Sequence, residues 1–217
     1  MEHPIMRFSG ELPPGDERKR DLKQRLAASV RAVVENAVLV DAGSASEADL
    51  EGLISAVDDV ANRMGAAASH RDHGGLQYDM KSWEGALFER SPISGRSNPI
   101  AAPLLIDGFD DDGVLHAHAT YGYAYEGPPA SLHGGVVAGA FDEMVGVGQT
   151  ASGGAGFTAH LTVRMRKTTP LHQRIDYEAG VSEVDGRKVT VWSRSMAGGE
   201  VVGEAEALMI APRGPLY

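Results

Sequence analysis

The sequence predicts an α+β fold: an antiparallel sheet wrapped around one long central helix, preceded by a helical extension. Three observations predict it. The run 134–149 is mostly apolar and has the length of a buried helix. Two strand-like runs precede it and four follow it, separated by Gly and Asp turn residues. Further upstream, two stretches repeat apolar residues at helical spacing. Strands placed before and after a single buried helix must pack their apolar face on that helix.

Composition narrows the class. The chain has 217 residues, 42% of them hydrophobic, enough for a well-buried core. It has no cysteine, which removes disulfides, thiolate nucleophiles and Cys-based metal sites. A formal charge of −10 argues against nucleic acid and anionic membrane surfaces as partners. The N-terminal residues mix acids and bases without a long apolar run, so the expectation is a soluble cytoplasmic protein with no targeting segment. The expected division is 1–95, a helical extension with an irregular linker, and 96–217, the sheet-and-helix domain.

In chain order, 1–16 contains Pro4, Pro13, Pro14 and Gly15 and reads as loose. Leu22, Leu26, Val30, Val33, Val34, Ala37 and Val38 predict a helix over 17–39, with Asp16 as its N-cap. Leu50, Leu53, Ile54, Val57 and Val60 predict a second over 46–68, opened by a capping box of Ser46 and Asp49. Joined by Asp41, Ala42 and Gly43, the two read as a hairpin shielding a sheet face or an oligomer contact. His70 and His73 stand in a polar loop without a third ligand, so a metal is not expected there. The irregular stretch 78–99, with Trp83, Leu87 and Phe88, reads as the wall of an apolar ligand pocket or a hydrophobic seal.

Strands are expected over 101–107 and 114–125, around a turn of Asp110, Asp111, Asp112 and Gly113. Alternation puts Ala117, Ala119, Tyr121, Tyr123 and Tyr125 on one face of the second, and His116, His118 and Thr120 on the other. A solvated or hydrogen-bonded histidine pair is expected in preference to a metal site. Four further strands are expected over 157–166, 174–184, 188–196 and 201–210, with hairpin turns at Asp185-Gly186 and Gly198-Gly199.

The chain is organised around 126–158. Gly127, Pro128 and Pro129 form a loop that cannot continue a strand, and His133-Gly134-Gly135 then opens the central helix. The first N–H groups of a helix have no intrahelical partner, and glycine admits a ligand oxygen close to them. That makes the helix start a candidate anion or oxyanion site. Asp142 falls near the face of Gly135, Gly139 and Gly146, with Glu143 about 100° further round. In a helix expected to be largely buried, a mid-helix carboxylate is costly and points to chemistry.

Gly127-Pro128-Pro129, His133-Gly134-Gly135, the nine-residue step to Asp142 and the downstream Thr158 resemble the hotdog-fold acyl-CoA thioesterases of the phenylacetyl-CoA type. The resemblance is nearest to the carboxyl-terminal modulator protein branch and covers roughly 127–212. It implies a hotdog fold, Asp142 as catalytic carboxylate, the Gly135 N–H as oxyanion donor and Thr158 as hydroxyl partner. Many phenylacetyl-type members have Asn six residues before the His, where this chain has Gly127.

Gly135 and Asp142 are about 10 Å apart along a helix, too far for one thioester carbonyl. A two-fold dimer with antiparallel helices would join Gly135 of one subunit to Asp142 of the other, and the resemblance also implies a homodimer or a dimer of dimers. Asp142 would act as base toward water or as nucleophile, and both remain open. His133 is expected to fix its loop by hydrogen bonds and, with Gly134, to line the substrate. Arg164, Arg166, Lys167, Arg187 and Lys188 are the candidate cations for coenzyme A phosphates. No metal or cofactor is expected beyond the coenzyme A of the substrate. Two other functions fit less of the sequence: a non-catalytic acyl-CoA-binding or protein-interaction role, and a hydratase built on Asp111 and His116, which straddle a turn and do not precede the central helix.

Overall fold

The computed structural model describes residues 10, 12–68, 83–84, 86–102 and 104–213, so the His70 and His73 pair lies outside the described residues. The elements run α1 (Glu17–Val38), α2 (Glu47–Ala67), α3 (Leu87–Arg90), β1 (Leu105–Phe109), β2 (Leu115–Thr120), α4 (Gly134–Gly148), β3 (Phe157–Met165), β4 (Arg174–Asp185), β5 (Lys188–Ala197) and β6 (Glu200–Ile210). The strands form one six-stranded sheet in the order β1-β2-β4-β5-β6-β3, every neighbour antiparallel. β3 is therefore an edge strand, although it follows the central helix directly.

The hairpin turns follow from residue chemistry. Gly198 and Gly199 both have positive φ, 57° and 83°, as a two-residue turn between right-twisting strands requires. The Asp110 carboxylate accepts from the N–H groups of Asp112 and Val114, closing the β1–β2 turn. β1 and β2 are displaced from expectation: β2 ends at Thr120, and Tyr123–Tyr125 form a 3-10 turn. Just past the end of β2, Tyr121 is buried with its hydroxyl 2.8 Å from that of Tyr177. Burial pushes the Tyr121 phenol up to about 12.

α4 lies against one face of the sheet. Its Val137, Phe141, Met144 and Val147 are buried with Leu115, Ala117, Ala119, Ile175, Tyr177 and Ala179. Gln149, also buried, ends the helix by donating to the Gly146 and Gly156 carbonyls and accepting from Gly156 N–H at 2.7 Å. That clamp fixes where β3 starts.

Residues 86–102 are not a linker. Ala86, Glu89, Ser91 and Ser94 are buried, and Leu87, Phe88 and Ile93 pack on the core around α4. Ile93 reaches α4, where a Cβ added to Gly139 would meet its Cδ1 at 2.8 Å. Glu89 is held by Arg20 at 2.6 Å, by Gln24 at 2.8 Å and by Ser97, tying α1 to this segment.

Of the two expectations for the helical hairpin, the shielding of a sheet face is corrected. α1 meets the body through polar residues: Arg20 and Gln24 reach Glu89, Arg31 donates to the Asn98 carbonyl, and Glu35 accepts from the N–H groups of Tyr123 and Ala124. Its apolar stripe points the other way, and α2 buries no residue. Ser46 caps α2 as expected, accepting from Asp49 N–H, whereas the Asp16 carboxylate turns to Lys19 and Trp83 in place of capping α1.

Candidate active site

The loop before α4 is built from tight backbone contacts. Gly127 N–H donates to Ser131 C=O and His133 N–H to Tyr125 C=O, both at 2.9 Å. A Cβ added at Gly127 would lie 2.7 Å from His133 Cα, so no side chain fits there without moving the loop. The imidazole of His133 then folds over the helix start, its Nδ1 accepting from Gly135 N–H at 3.0 Å. Its expected role in fixing the loop is thus visible as an N-cap. The open approach expected above Gly135 is corrected: an added Cβ would meet Nδ1 at 3.1 Å. Gly134 N–H, by contrast, has no hydrogen-bond partner among the described residues.

Asp142 and Thr158, sixteen residues apart, come together: Thr158 Oγ1 donates to Asp142 Oδ1 at 2.9 Å. Two devices place the hydroxyl, the Gln149 clamp on Gly156 and a β-bulge between Thr158 and His160 that breaks the β3–β6 register. Asp142 is exposed within one chain, as are Gly135, His133 and Thr158, which corrects the expectation of a buried acid. The enclosed acid is its neighbour. Burial raises the Glu143 pKa above the ordinary carboxylic range, while hydrogen bonds from Ser94 and Ser91 pull it partly back and the Asp142 charge pushes it up.

This arrangement of helix, sheet and edge residues has counterparts among known proteins. No family model matches the chain. A solved structure of a thioesterase superfamily protein shares 27% identity with it, at a TM-score of 0.75 covering 92% of this chain and 97% of that one. The chain has the hotdog fold and is similar to that thioesterase superfamily protein over nearly its whole length. Acyl-coenzyme A thioesterase THEM4 of Xenopus laevis is 38% identical over 64 residues, 30% of this chain and 29% of that protein, so the match spans under a third of the relative's length.

On the hotdog framework the five candidate cations separate. Arg164, Arg166 and Lys167 lie at or just past the Met165 end of β3, whereas Arg187 and Lys188 lie at the β4–β5 turn, beside the Phe157 end. Arg166 is paired with Glu204 and Lys167 with Glu200, and Arg187 donates to the Ala211 carbonyl. Arg164 lines an open groove of about 690 Å³ with Trp192, Glu204 and Glu206. By strand alternation these side chains lie on the sheet face away from α4.

The β2 histidines are hydrogen-bonded. His116 Nε2 lies 2.9 Å from Asp110 Oδ2 and His118 Nδ1 lies 2.9 Å from Asp107 Oδ2. The carboxylate beside His116 is thus Asp110, not the Asp111 of the hydratase reading. No helix among the described residues is long and apolar enough to cross a membrane.

Proposed function

We propose that the chain hydrolyses acyl-CoA thioesters to the free acid and coenzyme A. The observation that carries the reading is the Thr158–Asp142 hydrogen bond, which orients a carboxylate beside an exposed strand edge on the superfamily's fold. The THEM4 match points to the same substrate class.

In the reaction, the thioester carbon is attacked and its carbonyl oxygen becomes an oxyanion. Asp142 either takes a proton from the attacking water or attacks directly, giving a mixed anhydride that water then opens. In both routes the C–S bond breaks and the coenzyme A sulfur leaves as thiolate and is protonated. Thr158 holds the carboxylate's second oxygen away from the reacting one. The oxyanion is met by the first N–H groups of α4: Gly134, which is unoccupied, and Gly135, once His133 Nδ1 yields its place. No metal or further cofactor enters this scheme.

The active unit is a homodimer. β3 exposes an edge nine residues long, with Phe157 and Met165 both in solvent. Unpaired strand edges invite a second strand. Antiparallel β3–β3 pairing centred on Leu161 sets Met165 of one chain beside Phe157 of its partner. Gly134 sits against Met165, and Thr158 holds Asp142, so the pairing joins the helix start of one chain to the carboxylate of the other. It also brings Lys167 of one chain and Arg187 and Lys188 of its partner to the same end of the paired edge, as the cations for coenzyme A phosphates, whereas Arg164 and Arg166 face the other side of the sheet.

The acyl group is a medium or long fatty chain, because the helix face at Gly146 meets open space. Each buried methylene contributes about 0.8 kcal/mol, so kcat/KM rises with chain length until that space is full. A cytoplasmic setting and a place in fatty acid metabolism belong to the same reading. The test is thiol release across an acyl-CoA chain-length series by wild type and Asp142→Asn. The variant keeps the fold and loses roughly 10²–10⁴-fold in turnover; equal turnover would overturn the assignment.

A further inference from the structure

Eleven of the sixteen exposed large hydrophobic side chains among the described residues lie between Leu22 and Val60. Monomeric proteins seldom leave so much apolar surface contiguous. On α1 the stripe Leu22, Leu26, Val33 and Ala37 spans about 60° of arc and points about 150° away from the residues that grip the body. On α2, Leu50, Leu53, Val57, Val60 and Met64 form the equivalent stripe. α2 is a 21-residue helix that buries nothing, and helices of that kind depend on packing for their stability. The two stripes do not cover one another: Leu22, Leu26, Val33, Leu53, Val57 and Val60 are all exposed.

The flanking charges select the occupant. α1 carries six Lys and Arg against three acids, of which Arg18, Lys19, Lys23 and Arg25 against Glu17 and Asp21 remain once the body-facing Arg20, Arg31 and Glu35 are set aside, and α2 carries five acids against one Arg. Two α1 helices or two α2 helices would repel, whereas α1 and α2 attract. Within α1, five of the six cations lie at 18–25, and three of the five acids of α2 lie at 47–51. Only a parallel pairing sets these two N-terminal halves side by side. An offset of four heptads then matches Leu22 to Leu50 and Leu26 to Ile54, with Lys19 and Lys23 beside Glu47 and Glu51. Within one chain this is blocked. The connection from Val38 to Glu47 would have to run back along roughly 33 Å of helix almost fully extended, yet it is folded into turns through Asp41.

We propose that α2 of each chain packs in parallel on the outward stripe of α1 of a second copy, the two arms being exchanged reciprocally. The contact adds to the β3-edge dimer of the functional reading. It is tested by covalent mass and not by turnover, so its failure is distinct from failure of that reading.

Because the chain has no cysteine, engineered thiols are unique. Tagged and untagged chains carrying Leu26→Cys and Ile54→Cys are co-expressed and oxidised. The expected product is a disulfide heterodimer between the two variants, at least tenfold more abundant than either self-linked product. The double variant is expected to close into covalent dimers. Leu22→Cys is expected to link to Leu50→Cys in preference to Met64→Cys. A double variant that closes as a single-chain ring, Ile54→Cys linking equally well to itself, preference for Met64→Cys, or absence of any link would each overturn the proposal. All these positions except the half-buried Leu50 and Met64 are exposed, so the substitutions leave the core unchanged.

Discussion

Asp142 and Glu143 are adjacent in sequence and divergent in chemistry, because successive helical residues differ by about 100° in direction. Asp142 projects to the strand edge and keeps a hydroxyl partner, whereas Glu143 projects under the Ser91–Ser94 turn. Thr158→Ala removes one hydrogen bond to a charged group and no reacting atom. Its kcat should fall about tenfold with little change in KM, measured by thiol release. Unchanged kinetics would leave Thr158 as an ordinary strand residue. Glu143 has a folded-state pKa above its unfolded value. Below the unfolded value both states are protonated; between the two values only the native state holds the proton, so stability falls as pH rises through that window. Glu143→Gln should flatten this dependence and raise the relative stability on its alkaline side, read as chemical-denaturation midpoints between pH 4 and 8. A parallel shift of wild type and variant would refute the linkage.

At the scale of elements, α4 separates the two jobs that small residues perform. Above Gly139 lies the terminal Cδ1 of Ile93, which an added methyl would displace, whereas Gly146 meets nothing within 4 Å. Gly139→Ala should leave stability within about 1 kcal/mol of wild type, the helix-propensity gain offsetting the displacement of the Ile93 methyl. Gly146→Ala should stabilise it by up to about 1 kcal/mol through helix propensity. If the opening at Gly146 holds the acyl chain, the same Gly146→Ala enzyme will shift its preference toward shorter acyl-CoA. Thermal denaturation and the chain-length series measure the two effects on one protein, and an unshifted preference would place the acyl chain elsewhere. β3 shows how an edge strand is aimed: Gln149 sets its start, the bulge turns Thr158 toward Asp142, and the edge away from β6 stays unpaired.

For the whole molecule, the proposed composite site makes a prediction that no single-chain mechanism shares. Asp142→Asn chains and Gly135→Phe chains are each inactive as homodimers. Co-expressed and purified as heterodimers, they contain one site with both defects and one with neither, so activity should return to about half of wild type per dimer. A verified heterodimer without activity would mean that helix start and carboxylate act within one chain. The exposed positions of Asp142, Thr158 and Gly135 in a single chain are consistent with a partner completing the site.

Periodicity and turn chemistry alone determined the six strands, the central helix and both N-terminal helices, to within a few residues. These are local properties: β4, β5 and β6 are bounded by glycine turns, and α2 by its Ser46 cap. Residue spacing also marked Asp142 and Gly135, whereas Thr158 was marked only by the resemblance to the phenylacetyl-type thioesterases. Only the tertiary structure decided what covers each face. An amphipathic pattern specifies that a stripe exists and not what lies on it, so α1 docks by its polar side and the segment from Ala86 to Ala102 joins the core. It likewise decided which acid is enclosed and that His133 caps Gly135, because desolvation and hydrogen bonding depend on residues far away in the chain.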